Sequence, residues 1–422
     1  MSLPPFQPDI EYANHLDAAD ALAGFRSEFR ISDPEMLYMD GNSLGRLPRR
    51  TVDLLHAVVE EQWGERLIRS WGEGWYTAPR RIGDKVAGLL GAAPGQVIVG
   101  DSTSVNLYKL VMAALQLRSD RSRIISDTNN FPSDLYILQG CARTLGGRHA
   151  LHLVDAPDAD TQAVLDAIDA DTALVTLSLV VFKSGALYDA AAITRRAHAV
   201  GALVLWDLSH AAGAVPLALD NWDADFAVGC CYKYLNGGPG APAFLYVREG
   251  LLAHAASPIW GWFGEAQPFA FDLDYHPAPG IERFQAGTPP LLSLLAVEPG
   301  VDLLLEAGME RLREKSLRQT EYLIALFDHF LAPLGFTLGT PREAARRGSH
   351  VTLRHPEGYR INRALIEEMN LIPDFREPDH IRLGIAPLYT SYREVHETVR
   401  RIAQTVTERR YEKYSTVRLA VT

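Results

Sequence analysis

The sequence predicts an α/β fold, with a large domain on a mainly parallel sheet flanked by helices and a smaller α+β domain. Three observations carry this. Between about residues 96 and 250, short apolar runs rich in β-branched residues alternate with runs of helical period. The strand runs are apolar throughout, as strands buried on both faces are. At 422 residues the chain exceeds one average domain, and beyond about residue 333 the rhythm changes to short strands mixed with helices.

In chain order, residues 1–50 are irregular, with proline and glycine in MDGNSLGRLPRR, and are expected to pack with the small domain. Residues 51–70 (TVDLLHAVVEEQWGERLIRS) carry apolar residues at helical spacing. The strand QVIVGDS leads into the helix TSVNLYKLVMAALQL, SRIISD into SDLYILQGCARTLG, and ALVTLSLVVF into DAAAITRRAHAVG. ALVLWD, DFAVGCC and APAFLYV are further strands. Residues 291–332 read as helical; HVTLRH and HIRLGIA read as strands, and YREVHETVRRIAQTVTERRYEKY as a helix. The expected division is an N-terminal segment 1–50, a large domain 51–300 and a small domain 301–422.

The formal charge of -11 is spread along the chain and arginines cluster only in pairs, which argues against a nucleic-acid or anionic membrane surface. The 3 cysteines, Cys141 and the adjacent Cys230 and Cys231, cannot build a disulfide framework, and no CxxC pair suggests zinc. MSLPPFQPDIEYA lacks the basic start and apolar core of a signal peptide. The most apolar stretch, about 199–219, is interrupted by Asp207, Ser209 and His210, so it reads as core and not as a membrane span. A cytoplasmic protein is expected.

In an open parallel sheet, ligands sit beyond the carboxyl ends of the strands. Here each strand end delivers polar residues: Ser102-Thr103-Ser104, then Asn130-Phe131-Pro132-Ser133-Asp134, Ser178, Asp207 with His210, and Tyr232-Lys233. Any one of these is ordinarily a helix cap, a core residue or a solvated lysine. Five in sequence order point to one site. A lysine amine forms a Schiff base with a carbonyl once burial lowers its pKa. Pyridoxal phosphate uses such a lysine together with an acid facing its ring nitrogen, and Asp207 fits that acid. Ser102, Thr103 and Ser104 at a helix start suit the phosphate, and Phe131 is placed to stack on the ring. The glycines of NGGPG let a loop pass close to a ligand or to a second subunit.

With those residues in place, the chain resembles the kynureninases, bacterial ones in particular. The carrying stretches are YMDGNSLGRLP (38–48), EEQWGERLIRSW (60–71), GDSTSVNLYK (100–109), NNFPSDLYI (129–137), WDLSHAAGAVP (206–216), GCCYKYLNGGPGAPAF (229–244), GWFG (261–264), GTPP (287–290), RGSHV (347–351) and IRLGIAPLYTS (381–391). The resemblance implies the type I fold of pyridoxal-phosphate enzymes, with a seven-stranded sheet. It implies hydrolytic Cβ–Cγ cleavage of L-kynurenine to anthranilate and L-alanine in tryptophan breakdown or pyridine-nucleotide supply. Residues matching the bacterial set, Trp71, Gly287 and Thr288, imply that kynurenine is preferred over 3-hydroxykynurenine. A related transamination, or cleavage of a ring-modified kynurenine, is the alternative.

The same resemblance implies the roles. Lys233 holds the cofactor and moves protons, Asp207 faces the ring nitrogen and His210 lies beside the ring. Thr103 and Ser104 bind phosphate. Phe131 stacks, Ser133 and Asp134 belong to the same cofactor loop, and Ser178 is a cofactor-contacting hydroxyl. Tyr232 touches phosphate and donates a proton. Trp262 and Thr288 reach the phosphate from the partner in a homodimer with shared sites. Arg382 clamps the substrate carboxylate, Asn42, Ser43 and Trp71 line the aryl-ketone end, and Ser43 stabilises the hydrated ketone. The chain departs from the family's pattern at Leu179 and Val181, where His and Asn are usual, and at Glu265, where His follows GWFG. These read as drift beside the cofactor or as a change in aryl substrate.

Overall fold

The computed structural model describes residues 6–417. Seven strands form the main sheet: β1 (Val97–Val99), β2 (Arg123–Asp127), β3 (Ala150–Val154), β4 (Thr172–Ser178), β5 (Leu203–Asp207), β6 (Phe226–Gly229) and β7 (Phe244–Val247). Their spatial order is β1-β7-β6-β5-β4-β2-β3, and only β7 runs antiparallel to its neighbours. Every residue of β4, β5, β6 and β7 is buried, as the continuous apolar runs require. Helices Thr103–Leu117 and Pro132–Thr144 cover one face, and Ala78–Leu90 and Ala190–Ala199 the other.

A second core joins the N-terminal helix Ile10–Ala18 to the C-terminal third. Ala13, Leu16, Leu37 and Met39 pack with Leu326, Ile361, Ile381, Leu383 and Val399. Its antiparallel sheet has strands β8 (Thr337–Leu338), β9 (His350–Arg354), β10 (Asp374–Arg376) and β11 (His380–Gly384), in the order β10-β11-β9-β8. Helix Tyr392–Thr407 closes this core from a complete capping box, Ser391 with Glu394.

Four elements differ from the sequence reading. Strand β3 (ALHLV) and the short helix Thr161–Ala167 were not legible; β3 is a mostly exposed edge strand, so its composition lacks the buried signature of its neighbours. The expected helix over 51–70 is an α-helix only over Arg49–Ala57, then widens to π-type winding over Val58–Arg66 and tightens at Leu67–Trp71. Gly64 lies inside the wide stretch, Leu67 has φ 55°, and Trp63, Leu67 and Ile68 face outward and not into the core. The helical run 291–332 is three helices, Leu291–Leu295, Val297–Ala307 and Met309–Phe330, the last break falling at Gly308 with φ 81°. Among the described residues, no helix is long and apolar enough to cross a membrane.

Helix Ala78–Leu90 lies against β1 at Gly83, where a Cβ would stand 2.3 Å from the Val97 carbonyl oxygen and 2.9 Å from Ile98 Cα. Helix propensity alone favours alanine over glycine by about 1 kcal/mol. The collision is with backbone, which cannot rotate away, so overpacking wins. Gly83→Ala is expected to destabilise the protein by about 1–3 kcal/mol in denaturant unfolding; equal or higher stability would show that the helix can lift off the strand freely.

Candidate active site

The carboxyl ends of β4, β5 and β6 and the loop after β6 bring Ser178, Asp207, His210, Tyr232 and Lys233 together. Ser178 and Asp207 are register partners on adjacent strands, which sets their side chains side by side. Asp207 Oδ1 accepts the Ser209 backbone N–H at 2.7 Å, and its Oδ2 lies 3.4 Å from Ser178 Oγ. The Ser178 hydroxyl donates to Asn130 Oδ1 at 2.7 Å. Asn130 Oδ1 also accepts the Phe131 N–H at 2.8 Å, and Asn130 Nδ2 donates to Ser126 Oγ at 3.0 Å. Asn130 thus ties the Asp207–Ser178 pair to the loop carrying Phe131, Ser133 and Asp134.

Asp134 is buried next to Asp207. Burial and the charge of Asp207 push its carboxyl well above the usual range. This favours the protonated form of Asp134, hydrogen-bonded to Asp207. His210 is driven the other way: burial first, then the positive charges of Lys233 and Arg382, hold it well below the ordinary histidine range. A neutral His210 accepts from a Lys233 N–H, Nζ to Nε2 2.9 Å, while its Nδ1 is buried with no partner. Lys233 Nζ stands 5.9 Å from the centre of the Tyr232 ring.

Thr103 and Ser104 open helix Thr103–Leu117, whose first-turn N–H groups have no intrahelical acceptor. The Ser102 hydroxyl is spent as the N-cap, accepting from Val105 N–H at 3.3 Å. That leaves Thr103 and Ser104, and Ser104 Oγ lies 3.1 Å from Ser133 Oγ. The Phe131 ring is part exposed and meets Phe182 edge-on at 5.2 Å. Lys109, on the next turn of this helix but fully buried, bonds the Asp101 carboxylate and the Phe284 carbonyl. It holds the 284–288 segment to the turn that starts the helix.

The small domain contributes from above. Arg382 on β11 is fully buried, and burial lowers its pKa to about 10. It donates Nη1 to the Phe182 carbonyl at 2.6 Å and Nη2 to Ser43 Oγ at 3.1 Å. Asn42 has no exposed surface, and its amide N and O have no partner. It presses on Gly384, where a Cβ would stand 1.8 Å from Asn42 Oδ1. His350, absent from the sequence reading, is buried with both ring nitrogens unpartnered, 5.5 Å from the His210 ring. Burial holds it neutral, with a pKa lowered to about 3.

Trp71 and Trp262 belong to a separate aromatic group, and Thr288 lies on the 284–288 segment beside the start of helix Thr103–Leu117. Trp71 and Trp262 both meet Phe263, at 5.8 and 4.4 Å, and Thr288 is exposed. No hydrogen bond or ring contact joins them to the Lys233 cluster among the described residues. Residues missed by sequence reasoning are Lys109, His350 and Asp374, the last described below; Asn130 was placed at the site edge but given no role. Asn130 stood in a quoted strand end, and Asp374 shares the period-two pattern of DFR with Arg376, so both had a local signal. Lys109 and His350 had none, because their roles depend on burial.

At the departures, Leu179 and Val181 are buried, and Leu179 N–H donates to the Asp207 carbonyl, so these positions serve the strand and the core. Glu265 accepts the His276 N–H at 2.6 Å and closes its own loop. The three cysteines are all buried, and burial raises their thiol pKa values.

Gly45 N–H donates to the Tyr232 carbonyl at 2.8 Å, and a Cβ at Gly45 would stand 2.4 Å from the Lys233 carbonyl oxygen. Gly45→Ala is expected to move Lys233 and lower turnover by about 10-fold or more, as a displacement of about 1 Å at a reacting group does; steady-state kinetics with thermal melting separates this from unfolding. Asp127, buried and accepting from the Tyr188 hydroxyl, is raised to about 6 by burial. Its native pKa exceeds the unfolded one, so the stability it contributes is full below about pH 4 and is lost as pH rises to about 6. The melting temperature of Asp127→Asn relative to wild type should therefore rise between pH 4 and 6 and level off above. A difference that does not change with pH would show Asp127 to be ionised throughout.

Comparison with known proteins identifies the family. A family model described as the kynureninase C-terminal domain matches residues 312–402. The chain is 46% identical over 389 residues to a kynureninase of Pseudomonas fluorescens, covering 91% of this chain and 92% of that protein. It is 45% identical over 407 residues to a kynureninase of Deinococcus radiodurans, covering 95% and 97%. Among solved structures, a cysteine desulfurase from Thermococcus onnurineus matches with TM-score 0.77 at 20% identity, over 91% of this chain and 98% of that one. A cysteine desulfurase from Escherichia coli matches with TM-score 0.77 at 17% identity, over 92% and 98%; both show the fold alone. The sequence identities, nearly end to end, place the chain in the kynureninase family.

Proposed function

We propose that this protein uses pyridoxal phosphate to cleave L-kynurenine with water, giving anthranilate and L-alanine. The observation that carries the reading is one cluster in which Lys233, the Asp207–Asp134 pair and neutral His210 face Arg382 and Ser43. The residues fit the cofactor: an amine, an acid whose Oδ1 is fixed by the Ser209 N–H, and a helix start with two hydroxyls for a phosphate.

Lys233 would hold the cofactor through its amine. Thr103, Ser104 and Ser133 would take the phosphate with the helix N–H groups, Phe131 would cover the ring, and Ser178 and Asp207 would meet its polar edge. When bound, the group supplies an electron sink for charge developing on the substrate carbons. Arg382 would hold the α-carboxylate. Lys233 would take the α-proton, and His210, an acceptor for its N–H, would keep the amine oriented and able to lose a proton. Ser43, already bonded to Arg382, would stand by the hydrated ketone, and Tyr232 or Lys233 would return a proton to the carbon released. Burial raises the Tyr232 pKa, so it stays a proton donor at neutral pH.

A homodimer with shared sites is part of this reading. Trp262, Phe269 and Phe271 are exposed and linked by ring contacts, and Trp260, Leu273, Trp63 and Ile68 are exposed as well, apolar surface that a second copy would cover. The grouping of Trp71 and Trp262 around Phe263, away from Lys233, supports their serving the site of a second copy. The fold is shared with cysteine desulfurases, but that chemistry needs a mobile nucleophilic thiol, and all three thiols here are buried.

Purified protein supplied with pyridoxal phosphate and L-kynurenine should release anthranilate and alanine in equal amounts, faster than it acts on 3-hydroxykynurenine. Lys233→Ala should lower turnover by about 10³-fold or more. Turnover dependent on an added α-keto acid would instead support transamination. Light scattering should give twice the 46.6 kDa chain mass.

A further inference from the structure

Asp374 on β10 is the register partner of Arg382 on β11. Alternation along a strand puts Arg376 on the same face as Asp374, so the hairpin gathers two arginines about one carboxylate. Asp374 Oδ2 accepts from Arg382 Nε at 2.7 Å and also from Arg382 Nη2. Its other oxygen pairs with Arg376 Nη1 at 2.8 Å. Ser43 Oγ lies 3.3 Å from Asp374 Oδ2 and joins the cluster to the segment that faces Lys233.

Arg382 and Asp374 are both almost wholly buried, while the Arg376 side chain is 37% exposed. A buried Arg382–Asp374 pair by itself is neutral and has little attraction left for an incoming carboxylate. Arg376 adds one positive charge to the pair. Asp40 also faces both arginines; burial is the main cause raising its carboxyl toward the neutral form, and one of its oxygens is buried unpartnered. His350 and His210 are held neutral by burial.

We propose that Asp374 and Arg376 are positioning residues that orient Arg382 and set the charge of the substrate-carboxylate anchor. Asp374 fixes the guanidinium plane by taking Nε and Nη2. Arg376 neutralises Asp374, so that the positive charge of Arg382 remains to be answered by the substrate. Neither residue needs to touch substrate. The inference rests on the reading of Arg382 as the carboxylate anchor, and the test separates the two.

Kinetics on L-kynurenine would compare wild type with Arg376→Met, Arg376→Lys, Asp374→Asn/Arg376→Met and Arg382→Met, all loaded with cofactor. Arg376→Met should raise KM by about 10-fold or more with kcat within about 3-fold, the range for a lost charge-assisted interaction. Arg376→Lys should recover most of it. The double variant, which removes one charge of each sign, should have a lower KM than Arg376→Met. Inhibition by the substrate's amine analogue lacking the α-carboxylate should be the same for wild type and Arg376→Met. If Arg382→Met raises KM but Arg376→Met does not, or if the double variant is no better than the single, the charge-setting role is overturned while the anchor stands. If Arg382→Met leaves KM unchanged, the anchor itself fails. A variant that melts early is replaced by Arg376→Gln, which keeps the side chain's polar reach at this part-exposed position.

Discussion

The site depends on one segment of backbone being pinned between two cores. Met39 packs in the small-domain core and its carbonyl accepts the Gly384 N–H at 2.6 Å. Six residues on, Gly45 donates to Tyr232 and passes too close to Lys233 for any side chain. Between these fixed ends lie Asp40, Asn42 and Ser43. Lys233 comes from the main-sheet core and Arg382 from the second. Their spacing is set where this short stretch touches both, because backbone contacts at such distances leave almost no freedom to slide.

Around that spacing, the site is organised by what burial does to charge. Low-dielectric surroundings penalise every ion, so each charge is either neutralised or given a partner. Asp134 takes a proton and supports Asp207. His210 and His350 give theirs up. Arg382 is matched by Asp374, and Asp374 by Arg376. The result is a set of groups at different protonation states within one small volume, which proton-transfer chemistry requires. The same fold in desulfurases shows that the sheet does not choose the reaction; the side chains at its edge do.

Much of this was legible in the chain. The continuous apolar runs announced a sheet buried on both faces, and the polar residues after each run announced its working edge. What was missed follows a pattern. Strand β3 escaped because an exposed edge strand has no compositional mark. The stretch 51–70 was read as helical throughout, although beyond Val58 its winding widens and Trp63, Leu67 and Ile68 face outward. Lys109 looked like an ordinary helix lysine and is a buried tie between two loops.

The sequence by itself determined the order of strands and helices, the residue types at each strand end, and the family. These are local properties: period, turn chemistry and short motifs act over a few residues. Only the tertiary structure decided which charges stand together. Asp134 beside Asp207 and His350 beside His210 join residues 73 and 140 positions apart in the chain. Their protonation is set by burial and by neighbours across that distance. Asp134 meets Asp207 at the edge of the main sheet, whereas His350 reaches His210 only when the second core closes on that edge.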